Sequence, residues 1–334
     1  MMITATIDGG TTNTRVLLWR RGCCIGRAVA PVGVRVTARE GSPATLFATV
    51  RELVAEAARQ AGVLTADIGL FVVSGMLTSN LGLVEIPHRV APLSLDDLAA
   101  ALEERRLPSV FGDVPVWLVP GVKNRADADL TEENCLSMDM MRGEETEAAG
   151  LLDQVRPSGR TVLVLPGSHD KFIPVDGQGR LGGCLTSLTG ELLQSLTEHS
   201  ILASSVGRGF ASRFLEGPFL RGVEWGRKAG VGHGAFLCRI HEQFFRDTPL
   251  EAQNYLLGLL LGDEVEELAC HPLFPQPEET LFVLCGRPVL QQAYACLFAR
   301  RGWPVKLVDA ALQETLAGRG ALALAARRGL PVND

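Results

Sequence analysis

Near its start the chain carries a strand that runs into a turn of small residues and returns as a second strand, a pattern typical of a hairpin. Ile3–Ile7 is short and β-prone, and Asp8-Gly9-Gly10-Thr11-Thr12-Asn13-Thr14 follows it. A second β-prone run, Arg15–Trp19, comes next. A turn of glycine and hydroxyl residues exposes backbone N–H groups and Oγ donors together, which suits phosphate oxygens. Self-capping of a tight turn explains these residues about equally well.

The second half of the chain begins in the same way. Thr161–Leu165 is a predicted strand, Pro166-Gly167-Ser168-His169 is a small-residue turn, and Lys171–Val175 is a returning strand. Two such turns on two domains predict a cleft that holds a triphosphate from both sides. The spacing of a P-loop is absent, so neither turn is a site of that kind.

Strands and helices alternate over the rest of the chain, which predicts an α/β protein. A length of 334 residues indicates two domains, and the polar, acidic stretch 121–141 is the least regular connection. We therefore expect domains at 1–125 and 126–334. Other strands are predicted at Ile25–Val32, Ile68–Val73, Val114–Val119, Arg180–Leu185, Leu281–Leu284 and Val305–Val308, and helices from Ser42 or Pro43 to Gly62 and at Leu95–Arg106, Thr189–His199, Phe210–Trp225, Ala235–Arg246, Leu250–Glu267, Val289–Arg301 and Leu312–Arg328.

Charge and cysteine usage exclude several classes of protein. A net charge of -6 argues against a general nucleic-acid binder. The 8 cysteines form no C-x-x-C unit and no zinc spacing, which favours buried, reduced thiols in a cytosolic protein. The N-terminus lacks the pattern of a secretory signal, and the most apolar run, Tyr255–Leu261, is too short for a membrane span.

Carboxylates supply the chemistry that phosphoryl transfer needs. Asp8 follows a strand, where it could hold a hydrated Mg²⁺. An alcohol acceptor needs a base, and either Glu144 or Glu145 in Met141-Arg142-Gly143-Glu144-Glu145-Thr146-Glu147 could serve; spacing does not choose between them. Solvated carboxylates that favour a helix start are the simpler explanation for at least one of them. Arg142 beside the base could anchor an acidic substrate.

Three further segments are candidate binding sites. Gly286 and Arg287 lie between a predicted strand and helix, where glycine lets a flat ring such as adenine approach the backbone. Ser74-Gly75-Met76 begins a polar loop of the type in which α/β proteins place ligand contacts. Met76 is more typical of packing, whereas Asn80 and Glu85 could bind hydroxyls. In the second hairpin, His169 is more often structural than catalytic, and Lys171 is a candidate partner for phosphate or carboxylate.

In this order the motifs resemble the 2-dehydro-3-deoxygalactonokinase family. The resemblance covers about residues 5–325. The matching segments are Asp8-Gly9-Gly10-Thr11-Thr12-Asn13, Ser74-Gly75-Met76 with Gly82-Leu83-Val84-Glu85-Ile86-Pro87, Met141-Arg142-Gly143-Glu144-Glu145-Thr146, Leu165-Pro166-Gly167-Ser168-His169-Asp170-Lys171, Leu188-Thr189-Gly190-Glu191-Leu192, Tyr255-Leu256-Leu257-Gly258-Leu259-Leu260-Leu261-Gly262 and Cys285-Gly286.

The resemblance implies the two-domain actin-like ATPase fold of sugar kinases, related to ribonuclease H, with ATP in the cleft between domains. It implies transfer of the ATP γ-phosphate, with Mg²⁺, to the 6-hydroxyl of 2-dehydro-3-deoxy-D-galactonate in galactonate catabolism. It also suggests a homodimer. Phosphate binding then falls on Asp8 to Asn13 and on Gly167, Ser168 and His169, and adenosine binding on Gly286 and Arg287.

Some residues depart from the family pattern. The substrate loop of the family carries an Arg where this chain has Asn80, so a cation that could meet a sugar-acid carboxylate is missing. Arg142, Lys171, Lys123 or Arg125 could replace it, or the acceptor could be another sugar acid. A phosphate-releasing enzyme or a regulatory ATPase of the same fold is an alternative, and a silent binding protein has little use for Asp8 and Glu144.

Overall fold

A computed structural model describes residues 2–125 and 129–332 of the chain. The chain forms two compact units. Unit 1 comprises Met1–Ser158, Gln178–Cys184 and Glu314–Asp334, and unit 2 comprises Gly159–Gly177 and Leu185–Gln313. The predicted boundary after residue 125 adjoins 126–128, which lie outside the described residues, and compact packing keeps the chain in unit 1 as far as Ser158.

The chain alternates strands and helices as its sequence pattern predicts. The strands are β1 (Ile3–Gly9), β2 (Thr14–Arg20), β3 (Cys23–Ala30), β4 (Ile68–Gly75), β5 (Arg89–Val90), β6 (Glu103–Arg105), β7 (Val116–Leu118), β8 (Val122–Lys123), β9 (Met140–Met141), β10 (Thr161–Leu165), β11 (Asp170–Val175), β12 (Leu185–Ser187), β13 (Leu281–Leu284) and β14 (Val305–Leu307). The helices are α1 (Arg35–Glu40), α2 (Ala44–Gln60), α3 (Leu95–Ala100), α4 (Pro108–Phe111), α5 (Glu144–Val155), α6 (Thr189–His199), α7 (Glu216–Ile240), α8 (Pro249–Cys270), α9 (Pro288–Arg300), α10 (Ala310–Gln313) and α11 (Leu316–Arg327).

The main sheet of unit 1 has the order β3-β2-β1-β4-β7-β6. Strands β1, β2 and β3 are antiparallel neighbours, whereas β4 pairs parallel with β1, and β7 pairs parallel with β4. Because side chains alternate along a strand, Ile3, Ala5 and Ile7 pack in the core cluster that also holds the apolar residues of α2. Helix α11 packs against β1, β4 and α5.

Unit 2 repeats the same strand order on its own sheet, β12-β11-β10-β13-β14. The β10–β11 hairpin is antiparallel, and β13 pairs parallel with β10. Helices α7, α8 and α9 contribute the largest share of its core, with Tyr255, Phe282 and Tyr294 fully buried. Helix α7 is broken at Gly230, whose φ of 71° is not helical.

A small third sheet, β5-β8-β9, lies in unit 1. Strand β5 is parallel to β8, and β8 is antiparallel to β9. This sheet occupies part of the stretch 121–141 that the sequence marks as irregular. All 8 cysteines are free thiols. The expectation that they are buried is wrong for four of them, because Cys23, Cys24, Cys135 and Cys270 are exposed. Within 2–125 and 129–332, no helix has the length and apolar character required to cross a membrane.

Several predicted boundaries differ from the structure. The helix predicted at Leu95–Arg106 ends at Ala100, and Glu103–Arg105 forms the edge strand β6, because it pairs with β7. The strand predicted at Arg180–Leu185 begins only at Leu185. Leu181 instead bridges to Leu93 in unit 1, because Gln178–Cys184 belongs to unit 1.

The helix predicted at Phe210–Trp225 begins only at Glu216, and it joins most of the helix predicted at Ala235–Arg246 in α7 and the π-helical turn His241–Phe245 that follows it. The last predicted helix, Leu312–Arg328, is divided into α10 and α11.

Candidate active site

The first hairpin turn presents polar groups outward on a fixed backbone. The Gly10 N–H donates to the Asn13 carbonyl over 2.8 Å, and two N–H groups of the segment after β3 donate to the carbonyls of Gly10 and Thr11. The side chains of Thr11, Thr12 and Asn13 are exposed. Their hydroxyl and amide groups are therefore available to an anion such as phosphate.

Two glycines let the end of β4 and the start of α5 meet beside Asp8. Gly75 has φ 74° and Gly143 has φ 119°, values that favour glycine. A Cβ atom on Gly143 would lie 3.2 Å from the Gly75 Cα, and one on Gly75 would lie 2.8 Å from Asp8 Oδ1. The predicted site segments around Asp8, Ser74 and Glu144 therefore come together in unit 1.

Strand alternation places Asp8 on the sheet face opposite Ile7 and the α2 core. Arg15 pairs with Asp8 across the β1–β2 hairpin. A small crevice lined by Asp8, Arg15, Ser74 and Gly318, among others, opens at this point. The half-buried carboxylate of Asp8 therefore lies between an arginine on its own sheet and the helices that cover this face.

Four carboxylates, those of Asp8, Glu144, Glu145 and Glu147, lie close enough to affect one another's charge. Removal from water raises the pKa of Asp8, with Arg15 opposing the shift and Glu144 adding to it. The pKa of Glu145 rises to about 7 and that of Glu147 to about 8. In both cases burial is the main cause, and neighbouring carboxylates add to it by repelling a further negative charge. These shifts favour the protonated acids, and a bound cation would favour the ionised forms instead.

Glu144 and Glu145 differ in what they can reach. Glu145 is fully buried, and its two oxygens accept from the Gly143 N–H over 2.9 and 2.8 Å. The hydroxyl of Thr146 donates to it over 3.1 Å. Glu144 is partly exposed, and one of its oxygens accepts from the Arg142 N–H over 3.0 Å. Glu144 is therefore the more accessible of the two carboxylates.

The donor set around Asp8 fits a metal ion that keeps most of its water. Among the described residues, no three His, Cys, Asp or Glu side chains are arranged to hold an ion. Mg²⁺ in kinase sites is commonly held by one or two carboxylates, phosphate oxygens and several waters. A single carboxylate beside exposed hydroxyl and amide donors is compatible with that arrangement.

Arg142 holds the loop that follows β4. Its Nη1 donates to the carbonyl and the hydroxyl of Thr78 over 2.6 and 2.8 Å, and its Nη2 donates to the Ile86 carbonyl over 2.9 Å. Nη2 also lies 3.1 Å from His88 Nδ1. The guanidinium therefore fixes the predicted substrate loop, and direct contact of Arg142 with a substrate stays a prediction.

The other predicted substrate residues differ in accessibility. Ser74 is buried at the end of β4. Met76 is half-buried and packs against the core of unit 1, as its residue type indicates. Asn80 and Glu85 are exposed and accessible to a ligand. Lys171 is buried in unit 2, where its ammonium donates to Thr186 on the neighbouring strand.

The second hairpin turn is held from inside unit 2. Asp170 Oδ1 accepts from the Gly167 N–H over 2.7 Å, and the Glu191 N–H donates to the Ser168 carbonyl over 2.9 Å. His169 Nε2 lies 3.1 Å from Glu191 Oε2, which gives this histidine the structural partner expected of it. Gly167 and Ser168 remain exposed and accessible to phosphate.

A buried polar network anchors this turn to the helices. Tyr294 donates its hydroxyl to Asp170 Oδ2 over 2.7 Å and lies against Glu264, which also accepts from the Thr189 hydroxyl. Burial raises the pKa of Asp170 and raises that of Glu264 to about 8. The Gly167 turn is thus connected through side chains to α6, α8 and α9.

The predicted adenosine turn lies next to the second hairpin. Gly286 has φ 94°, and a Cβ atom there would lie 3.1 Å from Pro166. Its carbonyl accepts from Gln313 Nε2 over 2.7 Å. The Arg287 guanidinium lies 5.8 Å from the centre of the Phe210 ring. The two predicted nucleotide segments of unit 2 are therefore neighbours.

Sequence reasoning missed Arg15 and Glu147, two charged residues that affect the carboxylates near Asp8. Arg15 is revealed by hairpin register, because a turn that pairs Gly9 with Thr14 also pairs Asp8 with Arg15. Glu147 lies three residues after Glu144, on the same side of α5. Hairpin register and helix periodicity were the available signals.

Comparisons with known proteins agree with these features. The sequence model of the 2-keto-3-deoxy-galactonokinase family matches residues 8–322. A protein of Rhizobium meliloti (strain 1021) named "Probable 2-dehydro-3-deoxygalactonokinase DgoK1" is 24% identical over 265 residues, which cover 78% of each chain.

Among solved structures, a Sinorhizobium meliloti protein designated a 2-dehydro-3-deoxygalactonokinase superposes with a TM-score of 0.72 at 22% identity. The match covers 96% of this chain and 98% of that protein. The likeness confirms the predicted two-domain fold of actin-like sugar kinases.

Proposed function

We propose that this chain, which belongs to the 2-keto-3-deoxy-galactonokinase family, transfers the γ-phosphate of ATP to the 6-hydroxyl of 2-dehydro-3-deoxy-D-galactonate. The observation that carries the proposal is the meeting of Asp8 with the start of α5 at the contact between Gly75 and Gly143. It brings a candidate metal ligand close to a candidate base, and phosphoryl transfer to an alcohol needs both.

Nucleotide binding uses the exposed donors of both hairpins. In this proposal Thr11, Thr12 and Asn13, with the backbone at Gly9 and Gly10, bind phosphate oxygens, and so do Gly167 and Ser168. Gly286 and Arg287 meet the adenosine. Asp8 holds hydrated Mg²⁺, which would offset the charge on the transferred phosphoryl group. These assignments are supported by exposure of the turns and by the contact between Pro166 and Gly286.

Glu144 takes the proton from the acceptor hydroxyl. Its carboxylate is partly exposed and has one oxygen bonded to the backbone, whereas Glu145 is buried and bonded at both oxygens. A general base must reach the proton that it removes. Asn80 and Glu85 bind acceptor hydroxyls from the loop that Arg142 holds.

The same proposal makes the chain a cytoplasmic enzyme, because ATP is supplied inside the cell. The homodimer that the resemblance suggests stays a prediction.

A coupled ADP assay tests the reaction. The wild-type chain is incubated with ATP and Mg²⁺ and a panel of aldonic and 2-keto-3-deoxy acids, and each mixture is repeated with EDTA. We expect ADP release that depends on 2-dehydro-3-deoxy-D-galactonate and stops when Mg²⁺ is removed. Release without any acceptor would support a phosphohydrolase or regulatory ATPase, and dependence on a different acid would change the substrate but retain the kinase.

A further inference from the structure

The small sheet of unit 1 places basic side chains on one face. Val90 and Met140 both pair with Lys123, so these side chains share a face. Alternation extends the same face by two positions, to His88 before β5 and to Arg142 after β9. The Arg142–His88 approach of 3.1 Å agrees with this placement.

Lys123 is the cation on this face that is available to a ligand. Arg142 is bonded to Thr78 and Ile86, and Glu85 lies close enough to stabilise its charge. His88 contributes no charge at neutral pH, since burial, Arg142 and Lys123 lower its pKa to about 4. Lys123 is exposed, and across residues 2–125 and 129–332 its ammonium has neither a hydrogen bond nor an ion pair.

The face that carries Lys123 extends from the region of Asp8 and Gly143 along the small sheet. Arg142 directly precedes Gly143, which touches Gly75 beside Asp8. Met140, the residue paired with Lys123, lies three positions before Gly143, about 10 Å at strand spacing. A six-carbon acid that places its terminal hydroxyl at the carboxylate cluster carries its negative charge at the opposite end of the chain. The long side chain of Lys123 reduces the distance between its ammonium and that charged end.

We propose that Lys123, on the exposed face it shares with His88, binds the C1 carboxylate of the sugar-acid acceptor. The proposal rests on the proposed kinase function and adds to it the group that recognises an acid rather than a neutral sugar. It also supplies the cation that the Asn80 position lacks. A charge-assisted pair of this kind is stronger than a neutral hydrogen bond.

The test compares Lys123→Met with Lys123→Arg and with Lys306→Met, which removes the charge of another exposed lysine. Steady-state assays give KM for the acid, KM for ATP and kcat. Lys123→Met is expected to raise KM for the acid about 10-fold or more and to leave KM for ATP and kcat within about 2-fold. Lys123→Arg and Lys306→Met are expected to stay close to wild type.

A second acceptor isolates the charge. The C1 amide of the same acid keeps its shape and hydroxyls but has no carboxylate, so Lys123→Met should change its KM little. An equal rise in KM for acid and amide would overturn the proposal, as would a rise only in KM for ATP. Should Lys123→Met fold poorly by circular dichroism, Lys123→Gln replaces it.

The wild-type control separates the two proposals. Acid-dependent ADP release by the wild type, with an unchanged KM in Lys123→Met, removes the role of Lys123 and leaves the kinase in place. Absence of acid-dependent release by the wild type removes the kinase function itself. Calorimetric titration of the acid into wild type and Lys123→Met without ATP then shows whether the lysine binds a carboxylate at all.

Discussion

At Glu144 and Glu145, one step along α5 separates a carboxylate that solvent reaches from one that it does not. Glu145 accepts hydrogen bonds from Gly143 and Thr146, so it stabilises the start of the helix. Glu144 keeps an oxygen for other contacts. The sequence cannot separate these roles because both residues have the same side chain at the same helix end.

Glu144→Gln should lower kcat by about 100-fold or more, because a general base contributes that much. Glu145→Gln should cost less than about 10-fold in kcat and should lower the thermal midpoint instead, because it weakens bonds at the helix start. Steady-state ADP release and thermal melts of both variants make the comparison. The reverse ranking in kcat would make Glu145 the base.

The structural setting of a candidate site residue could be predicted where it follows from the residues beside it in the sequence. Asp8 near a strand end, the turn of hydroxyl residues after it and the Gly286 turn lie in the structure where the local sequence predicts them. The role of Arg142 in holding the loop after β4 could not be predicted, because its partners Thr78 and Ile86 are more than 50 residues away in the sequence. The sequence alone does not show whether an arginine binds the backbone of a loop or a substrate.

At the scale of elements, the sequence predicts the bounds of those strands and helices that are set by their own pattern of apolar residues. Strand Thr161–Leu165 and helix Thr189–His199 have the predicted bounds, because buried apolar runs and helical periodicity decide them. Glu103–Arg105 follows a helix and continues its polar character, but pairing with β7 makes it a strand. Leu181 pairs with unit 1 rather than with the hairpin beside it in sequence. Tertiary pairing overrides propensity at such positions.

The network of Asp170, Tyr294 and Glu264 predicts how stability depends on pH. The pKa of Glu264 rises from 4.5 to about 8 in the folded chain, so the folded state keeps a proton that the unfolded chain releases. Its contribution to stability is therefore complete below about pH 4.5 and is lost as pH rises towards 8. Burial raises the pKa of Asp170 as well, which acts in the same direction.

Glu264→Gln has no proton to lose and should flatten this dependence. Urea unfolding at about pH 5 and about pH 8.5 should show a smaller loss of stability for Glu264→Gln than for wild type. Glu267→Gln is the matched control, since Glu267 lies on the same helix but is exposed. Identical pH dependence in Glu264→Gln and Glu267→Gln would contradict the buried proton.

At the scale of the whole molecule, unit 1 depends on the last segment of the chain. Helix α11 buries Leu316, Ala321 and Leu324 and approaches α5 so closely that a Cβ on Gly320 would lie 1.8 Å from the Thr146 carbonyl oxygen. The segment that carries the carboxylate cluster is therefore supported by residues at the far end of the sequence.

Ending the chain at Gln313 should unfold unit 1 while leaving unit 2 protected. The lost apolar burial and the exposed face of α5 together exceed the stability of an ordinary domain of this size. Hydrogen exchange measured at β1 and β4, against β10 and β13, checks this outcome. A chain ending at Arg328 keeps α11 and is the control. Wild-type protection of β1 in the chain that ends at Gln313 would contradict the prediction.

The three-part construction of unit 1 has a consequence for synthesis on the ribosome. Domains that consist of one continuous stretch can fold as soon as they emerge, but the sheet that starts with Ile3 waits for α11, which is translated after the whole of unit 2. Unit 2 is complete at Gln313, before Leu316 has been added. Unit 1, which begins first, is thus completed second, and the segments around Asp8 are supported only after α11 has been made.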